Sequence, residues 1–176
     1  YDINGSRIAS ASSGVLNIVP YGSTLTPTPA ILVPNDQYYA SSKTWGQNYP
    51  DLWGIKKLNS ESAWATTTGS RNIVVAVIDT GVDYNHEDLS GNLWTNIDEI
   101  PSNAIDDDNN GYIDDVRGWN FGRSANSGDD SNDPMDDHGH GTHVSGTVAA
   151  VGNNTVGVVG VNWQATIMPI KVFNSS

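Results

Sequence analysis

The sequence predicts an α/β fold built on a doubly wound parallel sheet, and three stretches carry that prediction. Ile73 to Ile78 is a continuous apolar run rich in β-branched residues, the pattern of a strand buried on both faces of a parallel sheet. His140 to Val151 has small residues on several faces and reads as a buried helix, and Ile167 to Val172 (IMPIKV) returns to the strand pattern. Strand, helix and strand in alternation are the mark of parallel βαβ construction. Val116 to Phe121 is a further candidate strand between the first strand and the helix. So few strands cannot cover themselves, so the sheet is expected to be completed by residues beyond these 176.

Taken in order, residues 1–33 are rich in Ser, Thr, Gly and Pro and form a linker-like segment, with 34–176 as the folded domain. The polar spacer STLTPTPA at 23–30 favours extended backbone over helix, because each proline fixes φ and removes a donor. The apolar run Gly14 to Tyr21 is readable either as part of a disordered tail or as a strand. Ser60 to Trp64 suits a short helix, with Asn59 or Ser60 as its cap. After Ile78, Asp79-Thr80-Gly81 breaks the strand and leaves Asp79 at its carboxyl end, where ligands and catalytic groups collect in open α/β sheets.

Composition narrows the function. Eight basic residues against 20 acidic give a net charge of −12, which argues against nucleic-acid and anionic-membrane partners, since both require a positive surface. Much of the acid lies between Asp98 and Asp137, where self-repulsion calls for bound cations. The absence of cysteine excludes a disulfide framework and thiol catalysis. No stretch approaches the ~20 apolar residues of a membrane span, and the N-terminus lacks the pattern of a signal peptide, so an exported form would already have shed one.

Three of the four histidines fall in HGHGTHVSG, His138 to Gly146. The spacing of His138, His140 and His143 does not give the i, i+4 pair of a helical zinc site, although zinc stays a minor alternative. Asp79 can be read as a turn aspartate, as the carboxylate that orients a histidine, or as the Asp-Thr-Gly of an aspartic protease, which would need a second copy that the sequence lacks. Taken together, IVVAVIDTGVDYNHEDL (73–89) and GHGTHVSGT (139–147) resemble the first two blocks of the subtilisin-like serine proteases, in their thermitase-like branch. The resemblance runs from about Asn35 to Val172 and implies the N-terminal portion of a doubly wound sheet of the subtilisin type. It assigns the general base to His140 and the orienting carboxylate to Asp79, with His143 a buried partner and His138 facing solvent. The serine block, Gly-Thr-Ser-Met-Ala in type, does not occur in these 176 residues. The C-terminal remainder of the catalytic domain, bearing the serine and the oxyanion asparagine, is therefore an expected partner, as is a polypeptide substrate. In this light, residues 1–33 become readable as propeptide-derived.

Calcium is the expected cofactor. Asp106, Asp108, Asn110, the Tyr112 carbonyl and Asp114 follow the Asp-x-Asp-x-Asn-Gly spacing of an EF-hand-like loop, with Arg117 where that loop would have its bidentate Glu. A solvated acidic turn is the other reading. The resemblance implies a second site made by Asp36, Asp88, Asn154 and the carbonyls of Val151, Val156 and Val158. It implies a third, weaker one at Asn120, Asp129, Asp130, Asp133 and the Met135 carbonyl. The sequence thus predicts part of a calcium-stabilised, exported serine endopeptidase. Its rival is a catalytically silent calcium-binding module of the same ancestry.

Overall fold

The structure is a computed structural model that describes residues 31–122 and 130–174, together with the backbone pairing of two short strands nearer the N-terminus. The chain divides into two units, Tyr1–Ala30 and Ile31–Ser176. In the first, β1 (Ile8–Ser10) pairs antiparallel with β2 (Leu16–Ile18), Ile8 lying opposite Ile18. The apolar run at 14–21 thus contains a strand, and its partner is a segment that the sequence does not single out.

The second unit opens with two short helices, α1 (Trp53–Lys57) and α2 (Ser60–Trp64). Asn59 precedes α2 in a left-handed conformation with no side-chain cap, and the Ser60 hydroxyl donates instead to the Ile55 carbonyl, 3.0 Å away. The helix start is thus set by a turn that asparagine tolerates rather than by a capping bond. Tyr39, Ile55, Trp64, Val159 and Trp163 bury a mainly aromatic cluster here, and the Trp64 indole donates to the Val161 carbonyl.

The sheet has three parallel strands: β3 (Val74–Asp79), β4 (Trp119–Asn120) and β5 (Thr166–Lys171), in the order β3-β5-β4. Helix α3 (His140–Ala149) lies between β4 and β5 in sequence, as the crossover of a parallel pair requires. Its Val144, Val148 and Ala149 pack with Val75, Val77, Val82, Leu89, Ala165 and Ile167 to form the core. The register sets Asp79 opposite Lys171, so both side chains reach the carboxyl edge of the sheet.

Three expectations change. Among the described residues β3 is covered on one face only: α3 packs on it and Val77 is fully covered, while Ile73, Val74 and Ile78 are exposed at the edge of this three-stranded sheet. Val116 to Phe121 contributes only two paired residues. Its pairing begins opposite Ile170, one position past Pro169, which has no N–H to give. Helix α3 is likewise only partly buried, with His140, His143 and Thr147 exposed.

Ile167 is fully enclosed, whereas Ile97 is 87% exposed. In the intact protein, Ile167→Ala is expected to cost about 2–5 kcal/mol of unfolding free energy by denaturant titration. Ile97→Ser is expected to stay within about 0.5 kcal/mol of the parent. Equal losses at the two positions would contradict this placement of the core.

Candidate active site

Asp79 ends β3 and His140 begins α3, and the fold brings them together although 61 residues separate them. The His140 Nδ1 lies 2.8 Å from Oδ1 and 2.9 Å from Oδ2 of Asp79. An ionised carboxylate only accepts, so Nδ1 must carry the proton, which leaves Nε2 free to accept one. The Asp79 Oδ1 also accepts from the Thr80 amide at 2.7 Å. Burial pushes the Asp79 carboxyl up, but the His140 ring and the Thr80 amide outweigh it and hold it below the usual carboxylate range. The His140 side chain is 61% exposed against 14% for Asp79, so the imidazole is held from one side and open on the other. Asp79 thus pairs with a histidine rather than with a second aspartate.

Two glycines permit this contact. A Cβ on Gly141 would collide with the Gly81 carbonyl and sit 3.1 Å from the Asp79 Cβ. Gly81 has φ +99°, and a side chain there would run into the carbonyls of Pro134 and Met135. Glycine at 141 lets the first turn of α3 lie directly on the turn after β3, and glycine at 81 lets that turn lie on the Pro134–Met135 backbone that leads into the helix.

Two further side chains bind the turn to the segment before α3. Lys171 is buried, and its ammonium donates to the carbonyls of Thr80 (2.8 Å) and Met135 (3.1 Å) and pairs with Asp137 at 2.8 Å. Asp136 accepts from the Thr80 hydroxyl, the amides of His138, Gly139 and Thr142, and the Thr142 hydroxyl. Burial works against its charge, but the Thr142 hydroxyl and these amides hold it far below the ordinary carboxylate range. Sequence reasoning missed both residues, since neither belongs to a spacing motif.

His143 is exposed rather than buried, because its position on α3 turns away from the β3 packing face. His138 is exposed and its ring centroid lies 6.5 Å from that of His140. Among the described residues, the three-residue group of metal-binding type is acidic and contains no histidine.

That group is Glu99, Asp106 and Asp108, whose oxygens lie within 4.8 Å of one another. Glu99 comes from outside the loop motif, and its carboxylate also gathers the amides of Asp107, Asp108 and Asp114. Asp114 turns away to accept from the amides of Asn103 and Ala104, and Asn110 directs its amide nitrogen at Asp108 and Asp115. Tyr112 is a half-buried loop residue whose ring packs against Trp119 and Phe121 and whose amide donates to the Asn110 side chain.

Asp36 and Asp88 are both buried and share one loop. Asp36 accepts from the Asn153 amide at 2.7 Å. Asp88 accepts from the Asn154 side chain and the Val158 amide, both at 2.8 Å. Val151 donates to the Asp88 carbonyl, and the Asn154 Oδ1 accepts from the Val156 amide. Burial raises the Asp36 carboxyl above its ordinary value, the amides of Asn153 and Asn154 offset part of this, and the charge of Asp88 adds to the rise.

The described residues of the third expected site are engaged with other partners. Asn120 bonds to Ser131 and the Gly122 amide, Asp133 accepts from the Tyr84 hydroxyl and the Met135 amide, and Asp130 is exposed. The Met135 carbonyl already takes the Lys171 ammonium, so a second cation on it would face a like charge. Asp129 lies outside the described residues.

Both Asp79 and Asp136 have folded-state pKa values below those of the unfolded chain. Their stabilisation is therefore fully present above about pH 4, the unfolded Asp value, and is lost as pH falls through the folded values. The thermal midpoint of the intact protein is expected to drop on acidification below that point. Asp136→Asn should start lower at neutral pH and lose less on the way down. Parallel acid profiles for parent and variant would refute the assignment.

Residues 70–176 match the subtilase family, peptidase S8. The chain is 44% identical over 125 residues to Subtilisin-like protease 1 of Plasmodium berghei, covering 69% of this chain and 20% of that protein. It is 31% identical over 143 residues to thermitase of Thermoactinomyces vulgaris, covering 81% of this chain and 38% of that one. A solved structure of a protease from Pseudoalteromonas arctica superposes with a TM-score of 0.54 at 28% identity, over 81% of this chain and 40% of that chain. The chain thus spans only about a fifth to two fifths of the length of these proteins. The family match takes in β3, α3 and β5, and with them both partners of the Asp79–His140 contact: this chain is a member of the subtilase family.

Proposed function

We propose that the chain supplies the orienting aspartate and the general base of a serine endopeptidase, the nucleophilic serine coming from sequence outside these residues. The observation that supports this most directly is the double approach of His140 Nδ1 to the Asp79 carboxylate, at 2.8 and 2.9 Å. In this reading, His140 Nε2 takes the proton of the serine hydroxyl as its oxygen attacks the scissile carbonyl, then delivers that proton to the leaving amine. Asp79 keeps the ring in the productive tautomer and stabilises the imidazolium. A polypeptide is the substrate, and the rest of the catalytic domain is the partner that completes the site.

We infer also that calcium stabilises the fold. Asp36 and Asp88 fit the ion: two buried carboxylates face the same 151–158 loop, the Asp88 charge disfavours that of Asp36, and a Cβ on Gly157 would crowd Asp88. With Asn154 and the carbonyls of Val151, Val156 and Val158, they would tie the start of the unit to the end of α3. Glu99, Asp106 and Asp108 offer a second hard-oxygen set. When bound, calcium would supply the positive charge that these clusters need. A fold held this way keeps its stability where calcium is abundant, so the protein acts outside the cell.

In the full-length protein, His140→Ala is expected to lower kcat on a peptide substrate by roughly six orders of magnitude, with Asp79→Ala somewhat less damaging; these magnitudes are those known for subtilisin. A serine-directed fluorophosphonate should block the parent. Pepstatin sensitivity with fluorophosphonate resistance would overturn the reading.

Chelation should lower the thermal midpoint and excess Ca²⁺ restore it, with about 2.7 kcal/mol gained at a hundredfold excess over the dissociation constant. Asp88→Ala should blunt this response more than Asp106→Ala, since Asp88 is buried against the 151–158 loop. Identical melting curves in chelator and in millimolar calcium would remove calcium from the account.

A further inference from the structure

The contact between Asp79 and His140 is made by two elements that approach each other end-on, and something must fix their relative position. Two threonines sit across that junction with their hydrogen bonds running in opposite senses. Thr80, next to Asp79, accepts from the Gly141 amide on α3 at 2.9 Å, and its one hydroxyl hydrogen goes to Asp136 Oδ1 at 2.8 Å. Thr142, on α3, accepts from the Asp83 amide beyond the β3 turn at 2.9 Å, and its hydrogen goes to Asp136 Oδ2 at 2.5 Å. Each hydroxyl thus takes a backbone amide from the opposite element and spends its only proton on the same carboxylate.

We propose that Asp136 is the positioning residue of this site, holding Asp79 and His140 in register through Thr80 and Thr142. This rests on the reading of His140 as the general base. The directions of the bonds are forced. The amides of Gly141 and Asp83 can only donate, so each hydroxyl must donate onward, and the group that receives both must be an acceptor at both oxygens. The amides of His138, Gly139 and Thr142 also point at Asp136, so five donors converge on two oxygens. An aspartate meets that demand and an asparagine of the same shape does not, because its NH₂ would face donors.

A helix-capping role would account for the amides of His138, Gly139 and Thr142 and for nothing else. It has no use for Thr80, which lies 56 residues away on the β3 turn and is itself buried. Thr80 is therefore the place to separate positioning from capping. Removing its hydroxyl cuts the Thr80 link between turn and helix, to Gly141 and to Asp136, while the Asp83–Thr142 bond and the amide bonds of Asp136 remain.

The test compares Asp136→Asn, Thr80→Val and Thr80→Ser in the full-length protein, with His140→Ala as the floor. Steady-state kinetics on a peptide substrate are read beside the low-field proton resonance of His140 Nδ1 and the thermal midpoint. Asp136→Asn and Thr80→Val are expected to lower kcat about a hundredfold with KM changed less than about threefold, the cost of a misplacement on the ångström scale. Both should also weaken the Nδ1 resonance. Thr80→Ser, which keeps the hydroxyl, should recover most of the kcat and the resonance lost in Thr80→Val. If Asp136→Asn does not fold, the two Thr80 variants decide the matter alone. The proposal is overturned if Thr80→Val leaves both kcat and the resonance unchanged, or if Thr80→Ser loses as much as Thr80→Val. A His140→Ala protein that retains activity would strike the base assignment instead, and the resonance would still judge Asp136.

Discussion

Helix α3 begins so close to the turn that ends β3 that no Cβ fits at position 141, and the same turn lies so close to Pro134 and Met135 that none fits at position 81; the candidate site depends on the first approach. A methyl group at Gly141 would have to push the helix backbone off that of the β3 turn. Displacement of that kind moves His140 off Asp79, because each residue is fixed to its own element rather than to a loop able to compensate. The sheet register serves the same junction from below. It places Lys171 opposite Asp79, and the buried ammonium holds the Thr80 and Met135 carbonyls together on the flank. Burying a lysine is costly unless its donors are met, and here two carbonyls and the Asp137 carboxylate meet them.

A chain with 20 acidic residues against eight basic ones has to manage its carboxylates, and it does so in two distinct ways. Some are saturated with donors. Asp136 is one, and Asp51 is another, gathering the hydroxyls of Ser41 and Thr44, the Thr44 amide and the Gln47 side chain. These need no ion. Asp36 and Asp88 differ, since both are buried, receive fewer donors, and the charge of Asp88 works against that of Asp36. Net charge alone does not distinguish the two kinds. The distinction lies in how many donors face each oxygen, which only the fold decides.

The parts of this arrangement legible in the sequence were those with a local cause. β5 and α2 follow from apolar pattern and turn residues, and Asp79 and His140 from strings of eight or more residues with constrained glycine positions. Glu99 was not legible, because it reaches Asp106 and Asp108 from a separate turn and no ligand spacing includes it. Asp136 was hidden for a similar reason: an aspartate shortly before a helix reads as a cap, and its long-range partner Thr80 becomes visible only when the β3 turn and α3 are juxtaposed. Among the described residues β3 is covered on one face only, since an apolar run reports what a strand can bury, not which neighbours stand beside it. The Met135 carbonyl looked free for calcium until the register brought Lys171 to it.

A general base has to be open to its substrate and still hold one orientation, and these demands conflict for an exposed side chain. Freezing a side chain without burying it forfeits rotamer entropy with no apolar gain in return. His140 resolves this unevenly. Its exposed edge is left to solvent, while Nδ1 is held by both oxygens of a carboxylate that is itself 14% exposed and fixed by the Thr80 amide. The ordering is thus transferred inward, from an open ring to a mostly buried carboxylate and from there to backbone. The Thr80 hydroxyl, one residue on, carries it across to Asp136 and back to the amides at the start of α3. The ring returns to the helix that bears it by two routes, the covalent chain and this series of hydrogen bonds. Closing that loop through groups more sheltered than the ring itself is what allows an imidazole in contact with water to be held in one tautomer and one place.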